Sequence, residues 1–159
     1  IRPILRGRDI KRYGFDFADQ YIIATFPSKN YNIDDYPAVK EYLLSFGIER
    51  LEQSGKQYTI NGEIVKSRKK TNNKWFETQD SISYWDDFSK QKIVWGNLCL
   101  SAQYAWVEDE MYVNAPSPFI TNANKYILAL LNSKVVDWYI KMLGVSRNGG
   151  YYGSEKTTV

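Results

Sequence analysis

Histidine is absent from these 159 residues, and Cys99 is the single cysteine. A Ser-His-Asp triad, a Cys-His pair, a Cys/His zinc site and a disulfide framework therefore all lack their parts. No apolar run approaches the roughly 20 residues that a membrane span needs, and the N-terminus has no signal-peptide core. These absences predict a soluble, cytoplasmic chain with no membrane partner. A large charge imbalance is also missing. The formal net charge is +3, with 25% charged residues, which excludes a disordered tail and falls short of a strongly basic, nonspecific nucleic-acid binder.

What the chain has in plenty is rings: 13 Tyr, 5 Trp and 7 Phe, or 16% of all residues. Some of them serve a core, where a ring buries a large area. The surplus suits a surface that stacks on flat ligands, meaning bases or sugars. With 43% hydrophobic residues, the length predicts one domain over 1–159. The chain opens at Ile1 without a methionine and stops at Val159 soon after a glycine-rich stretch, so it reads as a piece of a longer protein.

The local patterns alternate between strand and helix. The β-branched and aromatic run 20–26 predicts a strand. Val39, Tyr42, Leu43 and Phe46 recur at helical spacing behind Pro37, predicting a short amphipathic helix that ends at Gly47, with a helical stub at 48–53. The polar stretch 55–74 reads as an irregular or hairpin insertion. Residues 92–96 form a buried-type strand, and 103–107 with 111–113 read as a hairpin turning at 108–110. Last, Ile127, Leu130, Leu131, Val135, Trp138, Tyr139 and Met142 form one apolar stripe. It predicts a long helix capped by Asn122, ending at Gly144 and packed across the sheet. The expected class is α+β, a small curved or mixed sheet packed by this long helix and the short one.

Without histidine, catalysis would rest on carboxylates, tyrosine or lysine. Asp86-Asp87 and Glu108-Asp109-Glu110 are the acidic clusters, and neither is followed by the acid-x-lysine element of a metal-dependent nuclease, so both read as solvated turns. The basic segments say more. Arg2, Arg6, Arg8, Lys11 and Arg12 crowd the first twelve residues around a single acid, Asp9. Lys66, Arg68, Lys69, Lys70 and Lys74 fall within nine acid-free residues beside Asn73, Trp75 and Phe76. Cations for phosphates next to rings for stacking is the pairing that nucleic-acid surfaces use. A third segment, with Arg147, Asn148, Gly149, Gly150 and Tyr151, is basic, glycine-rich and aromatic, and so suits close approach to a backbone or base. Arginine in these patches suits guanine, and Asn72, Asn73, Asn97, Gln103 or Asn148 suits adenine. A carbohydrate-binding module built on Tyr and Trp platforms, and a nuclease using the acidic clusters, stand as alternatives. Neutral sugars do not need the basic loop, and the nuclease lacks its lysine.

The segments LRGRDIKRY (5–13), YPAVKEYLLSF (36–46), the tryptophan-bearing 75–87, KIVWGNL (92–98), ALLNSKVVDWYI (129–140) and GGYYGSEK (149–156) follow one another over nearly the whole chain. In that order they resemble the TaqI-like C-terminal specificity domain family. The LLNS helix is also similar to one in the specificity subunits of multi-subunit restriction systems. The resemblance implies a target recognition domain that selects a short sequence of double-stranded DNA for a bacterial, type II (IIG-like) restriction-modification enzyme. In it, a methyltransferase domain on the N-terminal side would move a methyl group from S-adenosylmethionine to adenine. Cleavage by the parent would add magnesium. No catalytic residue and no cofactor are expected in this chain. The string Asn114-Ala115-Pro116-Ser117-Pro118-Phe119 departs from the acid-or-amide-Pro-Pro-aromatic motif that holds a flipped base in such enzymes, and reads as a turn.

Overall fold

Short strands and short helices alternate because turn-forming and β-branched residues interrupt one another every few positions. The structure, a computed structural model, describes residues 1–108 and 110–143 together with the backbone of 145–146 and 152–153. In chain order it contains β1 (Arg2–Leu5), β2 (Tyr21–Ile22), α1 (Pro37–Leu44), α2 (Ile48–Leu51), β3 (Gln57–Ile60) and β4 (Glu63–Lys66). There follow β5 (Lys92–Trp95), β6 (Leu98–Cys99), β7 (Tyr104–Val107), β8 (Tyr112–Val113) and β9 (Phe119–Thr121). The chain closes with α3 (Lys125–Leu131), α4 (Lys134–Leu143), β10 (Val145–Ser146) and β11 (Tyr152–Gly153). The class is α+β, built from small sheets. The chain divides into two compact units, one of residues 1–23 with 84 onward and the other of 24–83.

In the first unit β5 is central, antiparallel to β7 on one side and to β9 on the other. Its residues Lys92, Ile93 and Val94 are wholly buried, which is why it reads as a continuous apolar strand rather than an alternating one. The Lys92 ammonium is satisfied in the interior by the carbonyls of Phe88 (2.7 Å) and Lys90 (3.0 Å). Strand β1 pairs antiparallel with β2 and parallel with β8, and β11 pairs antiparallel with β6. Leu5, Ile10, Val107 and Met111 join this core. Much of the aromatic excess is spent here: the Tyr112 ring lies 4.2 Å from that of Trp85 and 4.8 Å from that of Phe88, which in turn lies 4.8 Å from Phe119.

The expected hairpin over 103–113 does not form. β7 pairs with β5, in register from Trp95↔Tyr104 to Lys92↔Val107, while β8 runs beside β1 with Ile4 opposite Tyr112. Met111, Tyr112 and Val113 are all buried, and so require an interior position rather than a place on the edge of β7. That edge is already closed. The Tyr104 N–H donates to Asn132 Oδ1 (3.1 Å), and the Tyr104 carbonyl accepts from Asn132 Nδ2 (2.9 Å) and the Tyr13 N–H (2.8 Å). The predicted strand over 20–26 shortens to Tyr21–Ile22, since β1 offers only Arg2 and Pro3 as partners. Thr25 bonds instead to Phe76 and Thr78.

The long C-terminal helix is two helices. Asn124, not Asn122, caps the first through its contact with the Ile127 N–H (3.0 Å), and Asn122 sits in the left-handed region at φ 58°. The break falls at Asn132 and Ser133. Asn132, 2% exposed, spends its amide on Tyr104 and on the Leu128 carbonyl (3.2 Å). Ser133 Oγ then accepts from the Val136 N–H (3.2 Å), starting α4. The apolar stripe is not buried along its length either. Asp137 accepts from the Ala102 N–H (2.7 Å) and pairs with Lys141 (2.8 Å), which turns Val135, Trp138, Tyr139 and Met142 outward. Leu131 and Ile140 do pack against the cluster of Ile93, Ala102, Tyr104 and Leu128.

The second unit holds α1, α2 and the β3–β4 hairpin. The hairpin turns at Asn61 and Gly62, both at positive φ (52° and 84°), as a two-residue turn between right-twisted strands requires. Phe26, Ile33, Val65 and Phe76 are its buried apolar residues.

Candidate nucleic-acid interface

Each unit carries one of the basic segments. In the first, the 3₁₀ turn Gly7–Asp9 is closed by an ion pair: Arg6 Nε and Nη2 donate to the Asp9 carboxylate at 2.9 and 2.8 Å, which also accepts from the Arg6 backbone N–H at 2.9 Å. Asp9 is only 5% exposed, and its hydrogen bonds from Arg6 hold its carboxyl below the usual carboxylate range. Arg12 donates to the Asn132 carbonyl (2.7 Å) and lies over the Tyr13 ring, so it braces the helix break. Lys11 Nζ caps the Arg8 carbonyl (2.9 Å). Arg6 and Arg12 are thus committed to partners within the unit, and Lys11 touches the turn itself.

Arg8 is different. Its exposed guanidinium makes no ion pair or hydrogen bond among the described residues. It borders a cleft of about 440 Å³ lined also by Asn97, Gln103, Pro116 and Ser117. Two glycines let the walls meet. A Cβ on Gly7 would stand 3.0 Å from Ser117 Oγ, and one on Gly96 would stand 3.3 Å from the Gly7 carbonyl oxygen. The turn expected at 114–119 is present, with the Ser117 N–H donating to the Asn114 carbonyl at 3.0 Å, and it supplies the far wall. Arginine, asparagine and glutamine, the residue types suited to base edges, thus line one cleft. The Cys99 thiol also lines it, pushed up in pKa by burial and by Asp137.

In the second unit the run 66–74 is a pinned loop that sorts its cations. Lys66, Lys69 and Lys70 are exposed, with no ion pair or side-chain hydrogen bond among the described residues. Arg68 turns the other way. It donates from Nε to the Leu51 carbonyl (2.7 Å), from Nη1 to that of Glu77 (2.8 Å) and from Nη2 to that of Trp75. Burial pushes its pKa down, though an arginine stays charged. The buried Gln53 adds two more ties, to the carbonyls of Glu77 (2.8 Å) and Lys74 (3.2 Å), and accepts from Thr71 Oγ1 (2.7 Å). Asn73 is likewise internal, donating to the carbonyls of Thr78 (3.0 Å) and Gln79 (2.9 Å). Lys74 lies 4.0 Å from Glu77 and over the Phe76 ring. Trp75 is half-buried, edge-on to Phe76 at 5.5 Å, and lines a shallow cleft of about 370 Å³ with Lys56, Lys70 and Asn73.

Arg147, Asn148, Gly149, Gly150 and Tyr151 lie outside the described residues. So does Asp109. Three other acids of the two clusters have local partners. Asp87 pairs with Lys90 (2.5 Å), Glu108 accepts from the Trp106 indole (2.7 Å) and Glu110 pairs with Arg2 (3.1 Å). Among the described residues no three His, Cys, Asp or Glu side chains converge as metal ligands would, and no helix is long and apolar enough to cross a membrane.

Sequence reasoning missed the internal duties of Arg68, Gln53 and Asn132. For Asn132 a signal existed: Asn-Ser interrupting an apolar helical stripe is also a helix stop followed by an N-cap. Arg68 had none, because its acceptors are backbone carbonyls that any residue supplies.

A family model described as the TaqI-like C-terminal specificity domain matches residues 2–158. Comparison with curated proteins finds no match.

Proposed function

On the premise that the chain belongs to the TaqI-like C-terminal specificity domain family, we propose that it recognises a short sequence of double-stranded DNA for a type II, IIG-like restriction-modification enzyme. The match across residues 2–158 carries this reading. What supports it in the fold is the sorting of cations. Arg6 and Arg68 are tied into their own units and the exposed Arg12 to the Asn132 carbonyl, while Arg8, Lys66, Lys69 and Lys70 face solvent with no side-chain hydrogen bond or ion pair among the described residues. A rigid frame with outward cations is what a polyanion requires, since phosphate contacts set position and base contacts set sequence.

Methyl transfer belongs to a separate domain on the N-terminal side, which would bind S-adenosylmethionine and present an adenine. Asn114 to Pro118 make a turn between β8 and β9. The host is a bacterial cytoplasm, where duplex DNA is accessible.

The test is duplex affinity measured against salt. The account expects log affinity to fall linearly with log salt, by about 0.9 per phosphate contact. Binding to neutral oligosaccharides without salt dependence, and none to duplex, would replace it with the carbohydrate reading.

A further inference from the structure

We infer that Arg8 is a specificity-determining residue that reads one guanine through the major-groove edge, an inference that rests on the DNA-recognition reading above. The four cations of residues 6–12 are not equivalent. Arg6 is committed to Asp9 by a forked ion pair, Arg12 to the Asn132 carbonyl, and Lys11 to the Arg8 carbonyl. All three act on the turn or its support.

Their combined effect is to fix the backbone at Arg8. The 3₁₀ turn is closed by the Asp9 carboxylate and backed by the close approach of Gly7 to Gly96 and Ser117. It is extended by the Asp16 N–H donating to the Asp9 carbonyl (2.8 Å). Arg8 stands on that turn exposed, its guanidinium making no hydrogen bond or ion pair among the described residues. An arginine on a mobile loop loses much of its contact energy to ordering, whereas one on a preorganised turn keeps it. Arginine's planar fork matches the paired acceptors O6 and N7 of guanine. Lys66, Lys69 and Lys70 are the contrast: ammonium point charges without a planar fork, suited to phosphates and indifferent to sequence.

The experiment compares the chain with Arg8→Ala and Arg8→Lys on its preferred duplex and on every single-base-pair variant of it. Arg8→Ala should weaken the preferred duplex roughly 5- to 150-fold and abolish discrimination at one G·C pair, leaving the other positions as they were. Arg8→Lys should recover affinity common to all duplexes without recovering the full guanine preference. Melting temperatures of both variants should stay close to the parent's, since no hydrogen bond or ion pair among the described residues is removed. A uniform loss across all duplexes, fully restored by lysine, would overturn the inference and make Arg8 a phosphate contact. Absence of duplex binding by the unaltered chain would instead overturn the DNA-recognition reading, and the inference with it.

Discussion

Replacing Lys66, Lys69 and Lys70 together by alanine separates electrostatic grip from folding. All three are exposed and unpaired among the described residues, so the fold loses no contact, and stability should move by no more than about 0.5 kcal/mol. If each meets one phosphate, the salt slope of duplex binding should become shallower by about 2.7, three contacts at roughly 0.9 each. Between 50 and 200 mM salt, a slope difference of that size corresponds to a factor of roughly 40, so the parent chain should lose about 40-fold more affinity than the variant over that interval. Fluorescence anisotropy with a labelled duplex across a salt series gives both slopes, and a thermal melt checks the fold. Parallel lines for parent and variant would refute the reasoning, because the loop would then carry no phosphate contacts. A large drop in melting temperature would refute it from the other side, by giving the lysines a structural role.

Arg68 should behave in the opposite way to its neighbours: Arg68→Ala strands the carbonyls of Leu51 and Trp75, and chemical denaturation should report a loss of about 2–4 kcal/mol. Asn132→Ala removes the amide that closes the edge of β7 and joins it to the helix break, with an expected cost of about 2–4 kcal/mol; a change under about 0.5 kcal/mol would show that the pairing with Tyr104 is replaceable. For Asp9 the folded pKa lies below its unfolded value, so the stability it contributes is fully present above the unfolded value and is shed as pH falls through the folded one. An acid titration of melting temperature should therefore be flatter below about pH 4 in Asp9→Asn than in the parent, and identical curves would remove the Arg6 pair as a source of acid sensitivity.

Elements defined by local signals were legible in the sequence. Pro37 with apolar residues at helical spacing yielded α1, the continuous apolar run at 92–96 yielded β5, and the Asn61-Gly62 turn completes the hairpin form of the 55–74 insertion. Elements defined by distant partners were not. Nothing near residues 111–113 announces that β8 will run beside β1, because the deciding factor is burial against Trp85 and Phe88. The apolar stripe of 127–142 has helical period throughout, and its interruption depends on Asn132 finding the backbone of Tyr104, 28 residues away. The basic segments were visible as charge, but charge does not reveal direction. Lys69 and Arg68 are adjacent in sequence, yet one faces solvent and the other fills three carbonyls of its own unit.

The most direct test of the account is selection by this chain from a library of randomised duplexes at physiological salt. A module that recognises sequence should enrich a single short motif, with guanine at one fixed position. Recovery of a pool as random as the input, from a chain that melts cooperatively, would contradict it.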